Sequence, residues 1–90
     1  MSEPTDQRGF QFPGVFEITA MGAVEAELHI VLVLTLEDLG LTIYRDSLRQ
    51  RPSAKGNYVS VTIAFEAHSR EDYDAAHGAL RAHPAVKWTL

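Results

Sequence analysis

Four histidines, His29, His68, His77 and His83, are the side chains of this 90-residue chain best suited to move protons or hold a metal near neutral pH. No two of them stand four residues apart, the helical spacing that puts two imidazoles on one zinc, and the chain has no cysteine to complete a thiolate site. No metal is expected. His77 falls on the apolar stripe of a predicted helix, where a histidine is ordinarily a core-edge residue, and His83 precedes Pro84 at that helix's end. Ser60 and Ser69 offer hydroxyls, but neither lies in the strained, glycine-flanked elbow that exposes a catalytic serine. Without cysteine there are also no thiol nucleophiles and no disulfides. The expectation is a protein that is not an enzyme and takes no cofactor.

Binding chemistry is better represented. Arg45, Arg49, Arg51 and Lys55 place half of the eight bases within one short segment. Long cationic side chains blunt exposed strand edges, and guanidinium forks also suit carboxylates and phosphates. Arg49, Arg51, Lys55 and Gly56 are therefore candidates for an anionic ligand or an acidic partner. The run Lys55-Gly56-Asn57-Tyr58-Val59-Ser60-Val61 precedes a strand much as the aromatic motif of RNA-recognition domains does. Those domains stack bases on aromatics of an open sheet face, whereas Ser60, Thr62 and Ala64 should occupy that face here, with only Tyr58 at its edge. Twelve acids against eight bases give a net charge of -4, which opposes attraction to phosphate backbones and anionic membranes. Nucleic-acid binding is therefore the weaker expectation.

The elements that must position these residues are read from periodicity. Hydrophobic residues make up 46% and charged residues 22%, the balance of a chain that folds by itself. The longest apolar run, Leu28 to Leu36, is far short of the roughly 20 residues of a membrane helix, and the polar start points to the cytoplasm. Residues 1–9 lack periodicity and read as a flexible N-terminal tail, leaving 10–90 as a single domain. Residues 15–21 alternate as a strand that Gly22 breaks. A helix is predicted over 23–39, with Gly40 as its left-handed cap. On a wheel Val24, Leu28, Val31, Leu32, Thr35 and Leu39 form one stripe, and Ile30, Val33 and Leu36 fall opposite. That second stripe is the expected self-association face, for a homodimer or a protein partner.

Residues 41–50 read as a weakly patterned strand, Pro52 to Gly56 as a turn, and Val59, Val61, Ile63, Phe65 and Ala67 as the apolar side of the next strand. Ser69 and Asp72 cap a helix over 70–82 that Pro84 stops. Val86, Trp88 and Leu90 alternate with Lys87 and Thr89 as a last strand, from which Val86 and Trp88 should face the core. The order βαββαβ predicts an α+β, ferredoxin-like sandwich, four antiparallel strands with two helices on one face.

Phe12-Pro13, Met21-Gly22, Pro52-Ser53, Lys55-Gly56, Tyr58, Ser60-Val61-Thr62, Ser69, Leu80, His83-Pro84, Val86-Lys87 and Leu90 together resemble the YbeD-like family of small bacterial proteins of unknown function. The likeness spans about residues 12–90. Gly14, Thr19 and His77 depart from the cysteine, lysine and tyrosine usual there. The resemblance implies a ferredoxin-like fold similar to ACT regulatory domains, a regulatory task, an association with lipoate metabolism, and no catalytic residue. ACT domains often bind effectors near the turn after the first strand, which makes Met21 and Gly22 candidates. The resulting expectation is a non-enzymatic regulatory or adaptor module for a small metabolite or a protein partner; the alternative is a nucleic-acid-binding protein using the open sheet face.

Overall fold

Val59, Val61, Ile63, Phe65 and Ala67 alternate along one strand and are all buried, so that strand has a fully covered face and lies inside the sheet. It is β3 (Tyr58–Ala67) of a computed structural model that describes residues 11–89. The expectations made for residues 1–9 and for Leu90 lie outside the described residues. β3 pairs antiparallel with β1 (Gly14–Ala23) on one side and β2 (Thr42–Pro52) on the other, and β1 also pairs with the short β4 (Trp88–Thr89). The strand order is β2-β3-β1-β4. With α1 (Leu28–Asp38) and α2 (Arg70–Ala82) packed on one face, this is the ferredoxin-like βαββαβ sandwich.

Ile18 and Ala20 of β1, the apolar side of β3, Leu28, Leu32 and Leu36 of α1, and Ala76 and Leu80 of α2 make one core. Phe12, Phe16, Phe65 and Tyr73 extend it at one end as a chain of tilted and edge-on rings, with Phe16 and Tyr73 centroids 5.1 Å apart. The predicted boundaries of α2 hold, and its cap is formed as expected: the Asp72 N–H donates to Ser69 Oγ at 3.3 Å, and Asp72 Oδ2 accepts from the His68 N–H at 3.0 Å. Gly40 ends α1 at φ 80°, where the Leu41 N–H reaches the Leu36 carbonyl.

The first crossover differs from the sequence reading. β1 does not stop at Gly22 but runs to Ala23; a 3-10 turn (Val24–Ala26) follows, Glu27 takes φ 54°, and only then does α1 begin. A single wheel drawn from residue 23 therefore carries Val24 on the wrong phase, and Val24 and Leu39 are exposed. The buried line is Leu28, Leu32 and Leu36, spaced four apart. Leu36, expected on the outer stripe, is a core residue; Val33 packs partly against the core; Ile30 is exposed as expected, and Leu34 is its exposed neighbour one turn on.

β2 is weakly patterned for a physical reason. Its register with β3 jumps between Tyr44 and Arg49, so residues 45–48 stand opposite Ile63 alone. Ser47 repairs the ladder there, its Oγ accepting the Ala64 N–H at 2.8 Å and donating to the Tyr44 carbonyl. The bulge resets the alternation. Tyr44, Arg49 and Arg51 consequently share the open face of the sheet, while Arg45 on the bulge pairs with Glu37 of α1.

Candidate functional site

The open face gathers its chemistry at one corner. Register pairs Met21 with both Ser60 and Trp88, and Arg51 with Ser60, so the four side chains stand side by side on the face away from the helices. Trp88 was expected in the core. Only Val86 goes there, from the loop before β4, because the Ala20–Thr89 and Met21–Trp88 register gives Trp88 the parity of Met21. Trp88 and Tyr58 are each about half exposed, at 49% and 45%, and their rings lie 6.2 Å apart at 47°. Arg51 has no hydrogen-bond or ion-pair partner among the described residues.

Met21, Arg51, Tyr58, Ser60 and Trp88 line a shallow, mostly apolar depression of about 230 Å³. Arg51 and Ser60 also line its polar neighbour of about 300 Å³, with Arg49 and Thr62. Thr62 and Thr19 share a 2.7 Å hydrogen bond that fixes both hydroxyls. Arg49 is committed: its guanidinium donates to both Glu17 oxygens at 3.0 and 3.1 Å. That bond, with the attraction that accompanies it, holds the Glu17 carboxyl below the usual carboxylate range and raises Arg49. Farther along, Tyr44 Oη donates to Glu66 at 3.3 Å; partial burial and the Glu66 charge raise the phenol above its ordinary value.

Of the sequence candidates, Met21, Arg49 and Arg51 come together here. Lys55 and Gly56 do not line either depression; they sit in the β2–β3 turn, where Gly56 takes φ 76° and its N–H donates to the Ser53 carbonyl. Gly22 is not a turn residue. It is buried within β1, and a Cβ on it would meet the Ala85 carbonyl oxygen at 2.5 Å. Its glycine serves close backbone approach. Trp88 is missed as a site residue because its alternation with Val86 does not hold: Val86 lies in the loop before β4, and β4 itself has only two residues to show a pattern.

The histidines stay apart. His68 lies 3.4 Å from Glu66 and 3.8 Å from Asp72, His83 Nδ1 accepts the Ala85 N–H, and His77 rests on the Tyr73 ring. Among the described residues no three His, Asp or Glu side chains converge as metal ligands, and no helix is long and apolar enough to cross a membrane. The corner offers one free cation, hydroxyls and two ring faces, which is recognition chemistry.

Fold and surface together define a small ferredoxin-like α+β domain with an aromatic and cationic corner on its open sheet. Residues 7–90 match the family described as a protein of unknown function (DUF493), and the chain belongs to that family. It is 50% identical to a UPF0250 protein of Xanthomonas oryzae pv. oryzae over 100% of this chain and 98% of that protein. A UPF0250 protein of Stenotrophomonas maltophilia is 50% identical over 91% of this chain and 89% of its own, and one of Xylella fastidiosa 46% identical over 93% and 91%. No solved structure matches.

Proposed function

We propose that this protein is a non-enzymatic regulatory or adaptor module of the bacterial cytoplasm, and that it docks an anionic ligand or an acidic partner group at the Arg51–Tyr58–Trp88 corner. The observation that carries the reading is an unpaired guanidinium beside two exposed, adjacent aromatic rings. Tryptophan, tyrosine and arginine are the residues that dominate binding energy at recognition surfaces. The cation would hold a carboxylate or phosphate, Ser60 would supply a hydroxyl, and Met21, Tyr58 and Trp88 would cover an apolar or planar body. Lipoate, which the family resemblance brings in, is an acid of that shape and belongs among the probes.

The chain's single tryptophan makes the corner self-reporting. Tryptophan emission, titrated with lipoate, an aromatic carboxylate and a nucleoside monophosphate, should respond saturably to at least one, and Arg51→Glu should abolish the response while Lys55→Glu preserves it. Silence with all three probes, or a response unchanged in Arg51→Glu, would overturn the assignment.

The ring pair also favours a second reading, single-stranded RNA stacked on Tyr58 and Trp88. The net charge and the carboxylates Glu17 and Glu66 on the same face weigh against it. Anisotropy with labelled mixed-sequence RNA at near-physiological salt should show weak binding or none; tight, salt-sensitive binding lost in Trp88→Ala would reverse the ranking.

A further inference from the structure

α1 is apolar on both sides. Leu28, Leu32 and Leu36 are buried, yet Ile30 and Leu34 on the outer side are 44% and 57% exposed. A surface helix ordinarily presents charge there. Beside these two residues, α1 and β2 enclose a groove of about 340 Å³ floored by Val33 and Leu48, and a second depression of about 490 Å³ continues it toward Val24 and Pro52, with His29 lining both. The surface is therefore elongated along the helix and apolar along its middle.

Its ends have one sign. Glu25 and Glu27 stand at the start of α1, Glu37 and Asp38 at its finish. The lining holds one cation, Arg45, and Glu37 already engages it. Glu25, Glu27 and Asp38 have no cationic partner among the described residues. A second copy fits this rim poorly. In an antiparallel pairing that sets Ile30 of one copy against Leu34 of the other, the Glu25–Glu27 end of one copy meets the Glu37–Asp38 end of the other, four carboxylates against the single Arg45 that Glu37 already engages. Like charges opposed in this way destabilise.

We propose that the outer face of α1, with the groove it forms against β2, docks a cationic amphipathic helix of a partner protein. Apolar side chains one turn apart on that helix would cover Ile30 and Leu34 and enter the groove, and lysines or arginines at its two ends would meet Glu27 and Asp38. Such complementarity sets orientation and excludes acidic competitors. This surface lies on the helical layer, so it stands whether or not the open sheet binds an anion.

The test uses the full chain and a fluorescein-labelled synthetic helix of about 14 residues, long enough to fold on contact, with leucines at helical spacing and lysines elsewhere. Anisotropy should show saturable binding that weakens as salt rises. Ile30→Ser combined with Leu34→Ser should weaken it by about tenfold or more, and Glu27→Gln with Asp38→Asn by about threefold, each tenfold step being 1.4 kcal/mol. Arg51→Glu should leave it unchanged. The same peptide with glutamates in place of lysines should not bind. Thermal melts establish that the variants are folded, and the charge-neutral pair, at two exposed positions, tests the proposal even if the serine pair unfolds. Three results would overturn it: no binding of the lysine peptide, binding indifferent to both pairs of substitutions, or a dimer in light scattering that Leu34→Ser dissociates, which would give the face to a second copy.

Discussion

The Trp88 and Tyr58 rings meet at 6.2 Å on the open side of the sheet, although they come from strands that are not neighbours: β1 runs between β4 and β3, and the two large rings reach across it. The pair is half solvated, so it contributes little to folding. Trp88→Ala should cost about 1 kcal/mol or less, the range of an exposed ring contact, in urea denaturation. A much larger loss would mean that Trp88 is a packing residue rather than part of a binding corner.

Neighbouring leucines of α1 should behave oppositely. Leu36 is fully buried and Leu34 is 57% exposed. Leu36→Ala should destabilise by about 2–5 kcal/mol, as should Ile63→Ala in the centre of β3, whereas Leu34→Ala should stay within about 0.5 kcal/mol. Equal losses at positions 34 and 36 would place the helix on a different phase from the one described.

What the sequence made legible follows from how many residues each signal averages over. β3 and α2 each show several periods, so Val59 to Ala67 and Tyr73 to Leu80 identify element and face together. Around residue 23 the reading runs out, because a 3-10 turn and Glu27 at φ 54° rotate the start of the helix, and neither leaves a mark in composition. The β2 bulge has the same effect on a strand: three extra residues put Tyr44 and Arg49 on one face, and simple alternation separates them. The candidate site was half visible for that reason. Arg51 is legible from its chemistry and Met21 from the family resemblance, but their neighbour Trp88 needs the register of a two-residue strand.

Gly22 and Gly78 supply a matched pair. A Cβ at Gly22 would come within 2.5 Å of the Ala85 carbonyl oxygen and 3.0 Å of Leu28 Cδ1, while one at Gly78 would meet nothing within 4 Å. Gly22→Ala has to push the 85–87 segment outward, straining the Lys87 N–H bond to the Met21 carbonyl that holds β4 in place. It should lose about 1–3 kcal/mol and shift Trp88 emission. Gly78→Ala, inside α2, should gain about 0.5–1 kcal/mol through helix propensity. Denaturation midpoints moving in the same direction for both would show that backbone approach at Gly22 does not matter.

Burial governs the last group. His77 has an Nε2 atom that is buried without a hydrogen-bond partner, and its ring lies 4.7 Å from the Tyr73 ring. Burial disfavours the charged imidazolium and lowers its pKa below the ordinary 6.5; the nearby Arg81 charge lowers it further, and Asp74 offsets part of this. The unfolded chain therefore takes up a proton at a higher pH than the folded one. Wherever the unfolded state binds more protons, stability rises with pH. The His77 contribution is thus present above the ordinary histidine value and is lost as pH falls below it, toward the lowered folded value. His77→Phe keeps a ring on Tyr73 and cannot take up a proton. The stability difference between parent and variant, measured by urea denaturation at about pH 7.5 and about pH 5.5, should therefore move against the parent at the lower pH. A difference constant across that interval would mean that His77 titrates alike in both states and that its buried nitrogen finds a partner.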